Sequence, residues 1–399
     1  MGPLNGIRVI DLTSVLMGPF ATQIMGDLGA DVIKVESPEG DIVRRYRPFR
    51  SSGMPGVFMN LHRNKRSIAL DLKAPQGAEA LRRLIAGADV IVHNVRARAM
   101  ARLGFDYDRV REINPRIVYC VANGFRQDGP YAAKPAYDDA IQAGAGLCGL
   151  MEKISGEASY VPTALCDKVA GMAIAYSVMA ALFHRERSGE GQAIEVPMFE
   201  TNIMFNLVEH IAGYGFEPPL SQPGFERYLT RFRKPYKTKN GHVCILPYTD
   251  ANWAAFFGHL DRNDVLEDPR FCDFSSRIAN IDALYALVDE LVAQRTTEEW
   301  LAFCDAASIP AMRMMSFADL WDDPHLKAIG MFGTDEHPTE GAYRTVSHPI
   351  VFSSTPASVR RHAPRLGQQG REILRELGFS GEEIEGLRSA GVIRLPDVA

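Results

Sequence analysis

A chain of 399 residues exceeds the size at which one hydrophobic core keeps growing, so two domains are expected. With 46% hydrophobic and 23% charged residues and a net charge of −5, the composition is that of a folded globular protein and carries no nucleic-acid footprint. Six cysteines form no CxxC pair and ten histidines form no HxxxH or HExxH pair, so neither a disulfide framework nor a metal site is expected; reduced thiols fit a cytoplasmic protein.

The opening residues 1–8 lack the apolar core of a signal peptide. Residues 8–12 (RVIDL) are a compact strand candidate, and 20–28 read as a helix stopped by Gly29. Residues 31–36 (DVIKVE) and 67–72 (SIALDL) are the next strands. In the helix expected at 75–86, Leu81, Leu84 and Ile85 share one face. Further strands are expected at 89–92 and 116–121. The most apolar run, 169–183, is short for a bilayer span and reads as part of a buried helix from 167 to about 187, stopped by Ser188-Gly189-Glu190-Gly191. Residues 192–196 return to a strand.

Residues 214–226, rich in Gly, Pro and Ser, are a plausible linker. A strand at 241–246 and amphipathic helices at 251–260, 278–293 and 297–306 suggest a smaller α+β unit. Residues 340–361 read as strands and 368–391 as terminal helices. The expected architecture is α/β: a large doubly wound, Rossmann-like parallel-sheet domain (1–215), an inserted small α+β domain (225–330), and a C-terminal segment (331–399) that rejoins the first. Gly18-Pro19 stands after the first strand where a dinucleotide-binding fold carries GxGxxG, which disfavours a nicotinamide or flavin enzyme.

Asp167 is the most informative polar residue. It stands before a long apolar helix, where an acid ordinarily caps orphan backbone N–H groups. The same position suits a nucleophile, because a carboxylate at a helix N-terminus is expected to stay ionised and to attack a thioester carbonyl beside a positive dipole end. The two roles are compatible. The basic clusters Arg44-Arg45-Tyr46-Arg47 and Arg231-Phe232-Arg233-Lys234 read first as solvated faces.

Several segments together resemble the class III CoA-transferases, the family of formyl-CoA and carnitine CoA-transferases, with α-methylacyl-CoA racemase among its relatives. They are Leu4-Asn5-Gly6-Ile7-Arg8-Val9-Ile10-Asp11-Leu12-Thr13, Gly18-Pro19-Phe20-Ala21-Thr22-Gln23, and Asp27-Leu28-Gly29-Ala30-Asp31-Val32-Ile33-Lys34-Val35-Glu36. Asn64-Lys65-Arg66-Ser67-Ile68, Arg102-Leu103-Gly104, Asn114-Pro115-Arg116, Asp167 through Gly171 and Arg187-Ser188-Gly189-Glu190-Gly191-Gln192 continue the pattern. The resemblance implies that Asp167 attacks a donor acyl-CoA, giving an acyl-aspartyl anhydride, then an aspartyl-CoA thioester, with the acceptor acid entering through a second anhydride. It implies CoA and acyl-CoA as substrates, a carboxylic acid partner, no permanently bound cofactor, no metal and no membrane. It also implies an interlocked homodimer, with each active site between the large domain of one subunit and the small domain of the other.

By family position, Val15-Leu16-Met17, Leu70-Asp71-Leu72-Lys73, Asn94-Val95-Arg96, Arg102 and Lys134-Pro135-Ala136-Tyr137 should line the CoA groove. Lys73, Arg96 and Arg102 suit its phosphates. The sequence departs from formyl-CoA transferase at Ser37, where that enzyme is basic and where Arg44, Arg45 or Arg47 would have to substitute. It departs again at Leu16 in place of Gln, and in lacking a glycine-rich loop within 200–240, so oxalate and formyl-CoA are not the expected substrates. Tyr228, Arg231, Arg233 and Tyr236 are candidates for the acceptor carboxylate. Three rivals stand beside this expectation. A 2-methylacyl-CoA racemase would need a His where Tyr137-Asp138 stands, and a tyrosine of ordinary pKa near 10 is a poor base. The others are a thiol enzyme using Cys166 and a CoA-binding protein without catalysis.

Overall fold

In the computed structural model, residues 1–396 are described. The short apolar runs between turn signals fold as β1 (Arg8–Leu12), β2 (Asp31–Glu36), β3 (Lys65–Leu70), β4 (Val90–His93), β5 (Val118–Asn123) and β6 (Gln192–Pro197). There follow β7 (Tyr236–Lys237), β8 (His242–Ile245), β9 (Ala311–Arg313), β10 (Phe332–His337), β11 (Gly341–Val346) and β12 (Ile393–Arg394). Seven strands make the main sheet in the order β12-β3-β2-β1-β4-β5-β6. Its pairs are parallel except β12 on β3, and register places Val9 opposite both Val32 and Val90. A parallel sheet needs both faces covered. One core packs the helix Pro75–Ala86 and the C-terminal helices Gly370–Glu376 and Gly381–Ser389 against Ile10, Ile33, Ile68 and Ile91. The helices Met17–Asp27 and Leu165–Ser188 pack on each other. The result is the expected doubly wound α/β sheet.

The strand expected at 67–72 begins two residues earlier, at Lys65. A hydropathy pattern passes over Lys65 and Arg66, but both are buried: Lys65 bonds Asp11 and Arg66 bonds Asp31. The strands expected across 340–361 reduce to one, β11, whose antiparallel partner β10 lies upstream; 347–361 forms none. The helix expected at 278–293 is broken at Asn280 into Phe274–Ala279 and Ile281–Val292.

The chain divides into two compact units. The first holds Met1–Ala145, Pro162–Met204 and the stretch from Lys327; the second holds Gly146–Val161 and Phe205–Leu326. The second has its own core, in which Trp253, Phe256, Phe257, Val288 and Trp300 pack together. One helix among the described residues, Leu165–Ser188, is long and apolar enough to cross a membrane, and 56% of its apolar window is buried within the protein.

Candidate active site

The strand order dictates where a ligand fits. Chain connections leave β1 toward β2 and β4 toward β5, so the sheet's direction of winding reverses between neighbours β1 and β4. In such sheets the loops beyond the carboxyl ends part at that point and leave a crevice. A cavity of about 620 Å³ opens there. The loop after β1 contributes Val15, Leu16 and Met17; the loop after β4 contributes Asn94, Arg96 and Arg98; the end of β5 contributes Asn123 and Gly124. Lys134, Pro135, Ala136 and Tyr137 form another wall, and Asp167 reaches the cavity from the first turn of Leu165–Ser188.

These loops are held from beneath. The Asn94 side chain clamps the switch point: it accepts from the Ser14 backbone N–H at 3.0 Å and donates to the Ser14 carbonyl at 2.9 Å. Its amide is thus engaged with the protein. Val15 has φ +70°, a conformation costly for a β-branched residue. Its N–H donates to Asp41 at 3.3 Å. Asp41 is itself fixed by Lys34 at 3.1 Å, and Lys34 also donates to the Thr13 carbonyl at 2.9 Å. Asp11 accepts from Thr13, Thr22 and Lys65, and all four are buried. Two glycines allow the close approaches. A Cβ on Gly171 would stand 2.8 Å from the Met17 carbonyl oxygen, and one on Gly124 would stand 2.3 Å from the Cβ of Ala136.

Asp167 does not cap its helix. Ala164 is the N-cap and makes no side-chain bond; Asp167 is the third helical residue. Its backbone N–H instead donates to Asp138 Oδ1 at 2.9 Å. Asp138 is buried at the start of the helix Asp138–Gly144, where its other oxygen accepts from Gln142 at 2.6 Å. The helix-terminus expectation of a fully ionised carboxylate also fails. Burial first, and the nearby charge of Asp138 second, push the Asp167 carboxyl up to about 7. Near neutral pH such a group is divided between acid and carboxylate, and its anion is poorly solvated and therefore reactive.

Among the candidates read from sequence, Val15, Leu16, Met17, Asn94, Arg96, Lys134 through Tyr137 and Asp167 meet in this cavity. Leu70, Asp71, Leu72, Lys73, Val95 and Arg102 are not among its walls. Leu70 is buried in the core, with Leu72 and Val95 packed against that core. Asp71 turns its carboxylate to the Lys73 N–H, and Arg102 is exposed on the helix Ala97–Leu103. Arg44, a possible substitute for a basic residue at Ser37, is consumed by Glu36 through two bonds of 2.7 and 2.8 Å. Of the small-unit candidates, Tyr236 is buried and Arg233 lies 4.0 Å over the Tyr228 ring.

Sequence reasoning missed Asp138, Arg98, Asn123 and Met198 as members of this region. Asn123 and Met198 follow the rule that strand carboxyl ends carry the site, and that rule could have found them. Asp138 had no such signal, because its bond to the Asp167 backbone spans 29 residues. Among the described residues no group of three or more His, Cys, Asp or Glu side chains is placed to hold a metal ion.

The sequence model of CoA-transferase family III matches residues 4–370. A formyl-CoA:oxalate CoA-transferase of Streptomyces coelicolor is 33% identical, over 98% of this chain and 99% of that one. A succinate–glutarate CoA-transferase of Agrobacterium fabrum is 30% identical, over 94% and 96%. Among solved structures, a CaiB/BaiF family protein from Brucella suis superposes with a TM-score of 0.79 at 30% identity, over 94% of this chain and 99% of that one.

Proposed function

The chain belongs to CoA-transferase family III, and we propose that it moves CoA between an acyl-CoA thioester and a free carboxylic acid with Asp167 as the covalent nucleophile. The observation that carries this reading is a half-buried carboxyl, tuned to about 7, at the switch-point cavity of a doubly wound sheet.

An Asp167 carboxylate oxygen attacks the thioester carbonyl carbon. The C–S bond breaks, CoA leaves as thiolate, and an acyl-aspartyl anhydride remains. The thiolate then attacks the aspartyl carbonyl, releasing the donor as a carboxylate and leaving an aspartyl-CoA thioester. The acceptor carboxylate attacks that thioester and expels CoA thiolate, which cleaves the second anhydride at the acceptor's carbonyl. New acyl-CoA forms and Asp167 is restored. Each step exchanges one acyl bond for another, so no redox equivalent is consumed.

Arg96, Arg98 and Lys134 place positive charge around the cavity, where thiolate and phosphates would meet it. Asp138 fixes the nucleophile's backbone, and burial first, with the charge of Asp138 second, retains a proton on Asp167 until the pH approaches neutrality. The acceptor we assign is a short carboxylic acid, since the similar enzymes are named for succinate, glutarate and oxalate.

We further propose a homodimer. The helix Leu165–Ser188 leaves Met172, Tyr176 and Phe183 exposed at spacings that place them on one face. The six free cysteines fit a cytoplasmic setting.

A screen of acyl-CoA thioesters against free acids, read by mass spectrometry, tests the function. The expected result is CoA exchange by the wild type and a kcat lower by at least about a thousandfold in Asp167→Ala. Full transfer by that variant overturns the reading.

A further inference from the structure

The helix that carries Asp167 begins inside a polar frame, and one member of that frame is poorly chosen for stability. On one side Asp138 accepts from the Asp167 N–H, and the buried Gln142 donates to Asp138 at 2.6 Å and to the Thr163 carbonyl at 3.1 Å. On the other side stands Asn202, fully buried in the helix Met198–His210. Its amide nitrogen donates to the Met198 carbonyl at 2.8 Å and to the Cys166 carbonyl at 3.3 Å. Cys166 directly precedes Asp167, and all of these residues belong to the first compact unit.

Both partners of the Asn202 amide are carbonyl oxygens, so only its NH2 end can face them and Oδ1 is turned away. There Oδ1 meets no donor among the described residues. An unmet buried acceptor destabilises a fold, and asparagine is a poor residue for a helix interior. Leucine, which has the same branched skeleton, would avoid both penalties. Chains break such local rules mainly at functional sites. What Asn202 supplies is a tie between two parts of the site. Met198 lines the cavity, and the next residue, Phe199, donates its N–H at 2.9 Å to the carbonyl of Gly124, another wall residue. The Asn202 amide joins that wall to the residue before Asp167.

We propose that Asn202 is a positioning residue for the transfer reaction, fixing the first turn of Leu165–Ser188 through the Cys166 carbonyl so that the Asp167 carboxyl is aimed at the thioester. The proposal rests on Asp167 as nucleophile. Asn202 is buried and acts through the backbone. A displaced nucleophile slows the chemical step rather than weakening substrate binding.

Two variants test it. Asn202→Leu keeps the branched shape and removes both donors. Its Tm should match or exceed that of the wild type, while kcat falls at least about tenfold and KM for an acyl-CoA stays within about twofold. Asn202→Asp keeps a donor only in its acid form, since its anion would face two carbonyl oxygens. Its kcat, divided by that of the wild type at the same pH, should therefore fall as pH rises. Unchanged kcat in Asn202→Leu, a loss of kcat that tracks a lowered Tm, or a pH-independent ratio in Asn202→Asp overturns the proposal. Should Asn202→Leu not fold, the ratio decides alone. Hydrogen exchange read by mass spectrometry needs no turnover. Amides of residues 166–169 should exchange at least about tenfold faster in Asn202→Leu, with the rest of the helix unchanged. Equal exchange also overturns the proposal. A wild type that transferred no CoA would defeat the transferase function instead, and the exchange would still decide what Asn202 holds.

Discussion

Asp167 is an acid whose surroundings oppose its charge, and that opposition is measurable. Its carboxyl titrates near 7, so kcat/KM with an acyl-CoA should climb as pH rises through about 7 and level off above it. Asp138→Asn keeps an acceptor for the Asp167 N–H but removes the neighbouring charge, so the same limb should move to lower pH; an unmoved limb would contradict the coupling. The linked stability follows from the direction of the shift. The folded protein binds a proton at Asp167 more tightly than the unfolded chain does, so stability contributed by the acid form is lost as pH rises from about 4 through about 7. Discounted for partial exposure, the penalty above neutrality is about 1–2 kcal/mol. Asp167→Asn should therefore be more stable than the wild type at pH 8 and equal to it near pH 4 in urea unfolding. The loss of activity with gain of stability would mark a functional strain.

The elements show what positions that residue. The loop after β1 is not held by its own residues alone. A left-handed Val15 is fixed by Asp41, and Asp41 by the buried Lys34 of β2. Removing one partner of a buried pair leaves the other unpaired, at about 3–5 kcal/mol. Asp41→Asn should cost stability of that order and lower kcat. Adding Val15→Gly should recover part of the lost kcat, since glycine adopts φ +70° without being held there. An Asp41→Asn enzyme with wild-type kcat would sever this link between the buried charges and the cavity.

Element by element, much of this was readable in the sequence, and the failures have physical causes. The helix Pro75–Ala86 was legible because Leu81, Leu84 and Ile85 repeat on one face and Pro75 opens it. The start of β3 was not, because Lys65 and Arg66 look like surface residues until Asp11 and Asp31 are seen beside them. The position of Asp167 on its helix was misjudged because an acid before an apolar run resembles a cap. What raises its pKa is burial first and then the charge of Asp138, far away in sequence, neither of which a local pattern records.

At the scale of the whole molecule, the sheet order explains why chemistry gathers where it does: the loops after β1, β4 and β5 converge only because the winding reverses between β1 and β4. The exposed face of Leu165–Ser188 makes a second claim at this scale. Analytical ultracentrifugation should find a dimer, and Met172→Glu/Tyr176→Glu should weaken or dissociate it; a monomeric wild type would contradict the homodimer. The central claim is that the fold delivers one carboxyl to a thioester as a nucleophile. Incubating the protein with an acyl-CoA that it turns over, quenching with hydroxylamine and mapping peptides by mass spectrometry tests it directly. A hydroxamate at Asp167 and at no other carboxylate is predicted. Turnover with Asp167 unmodified, under conditions that trap the aspartyl ester of a related transferase, would contradict it.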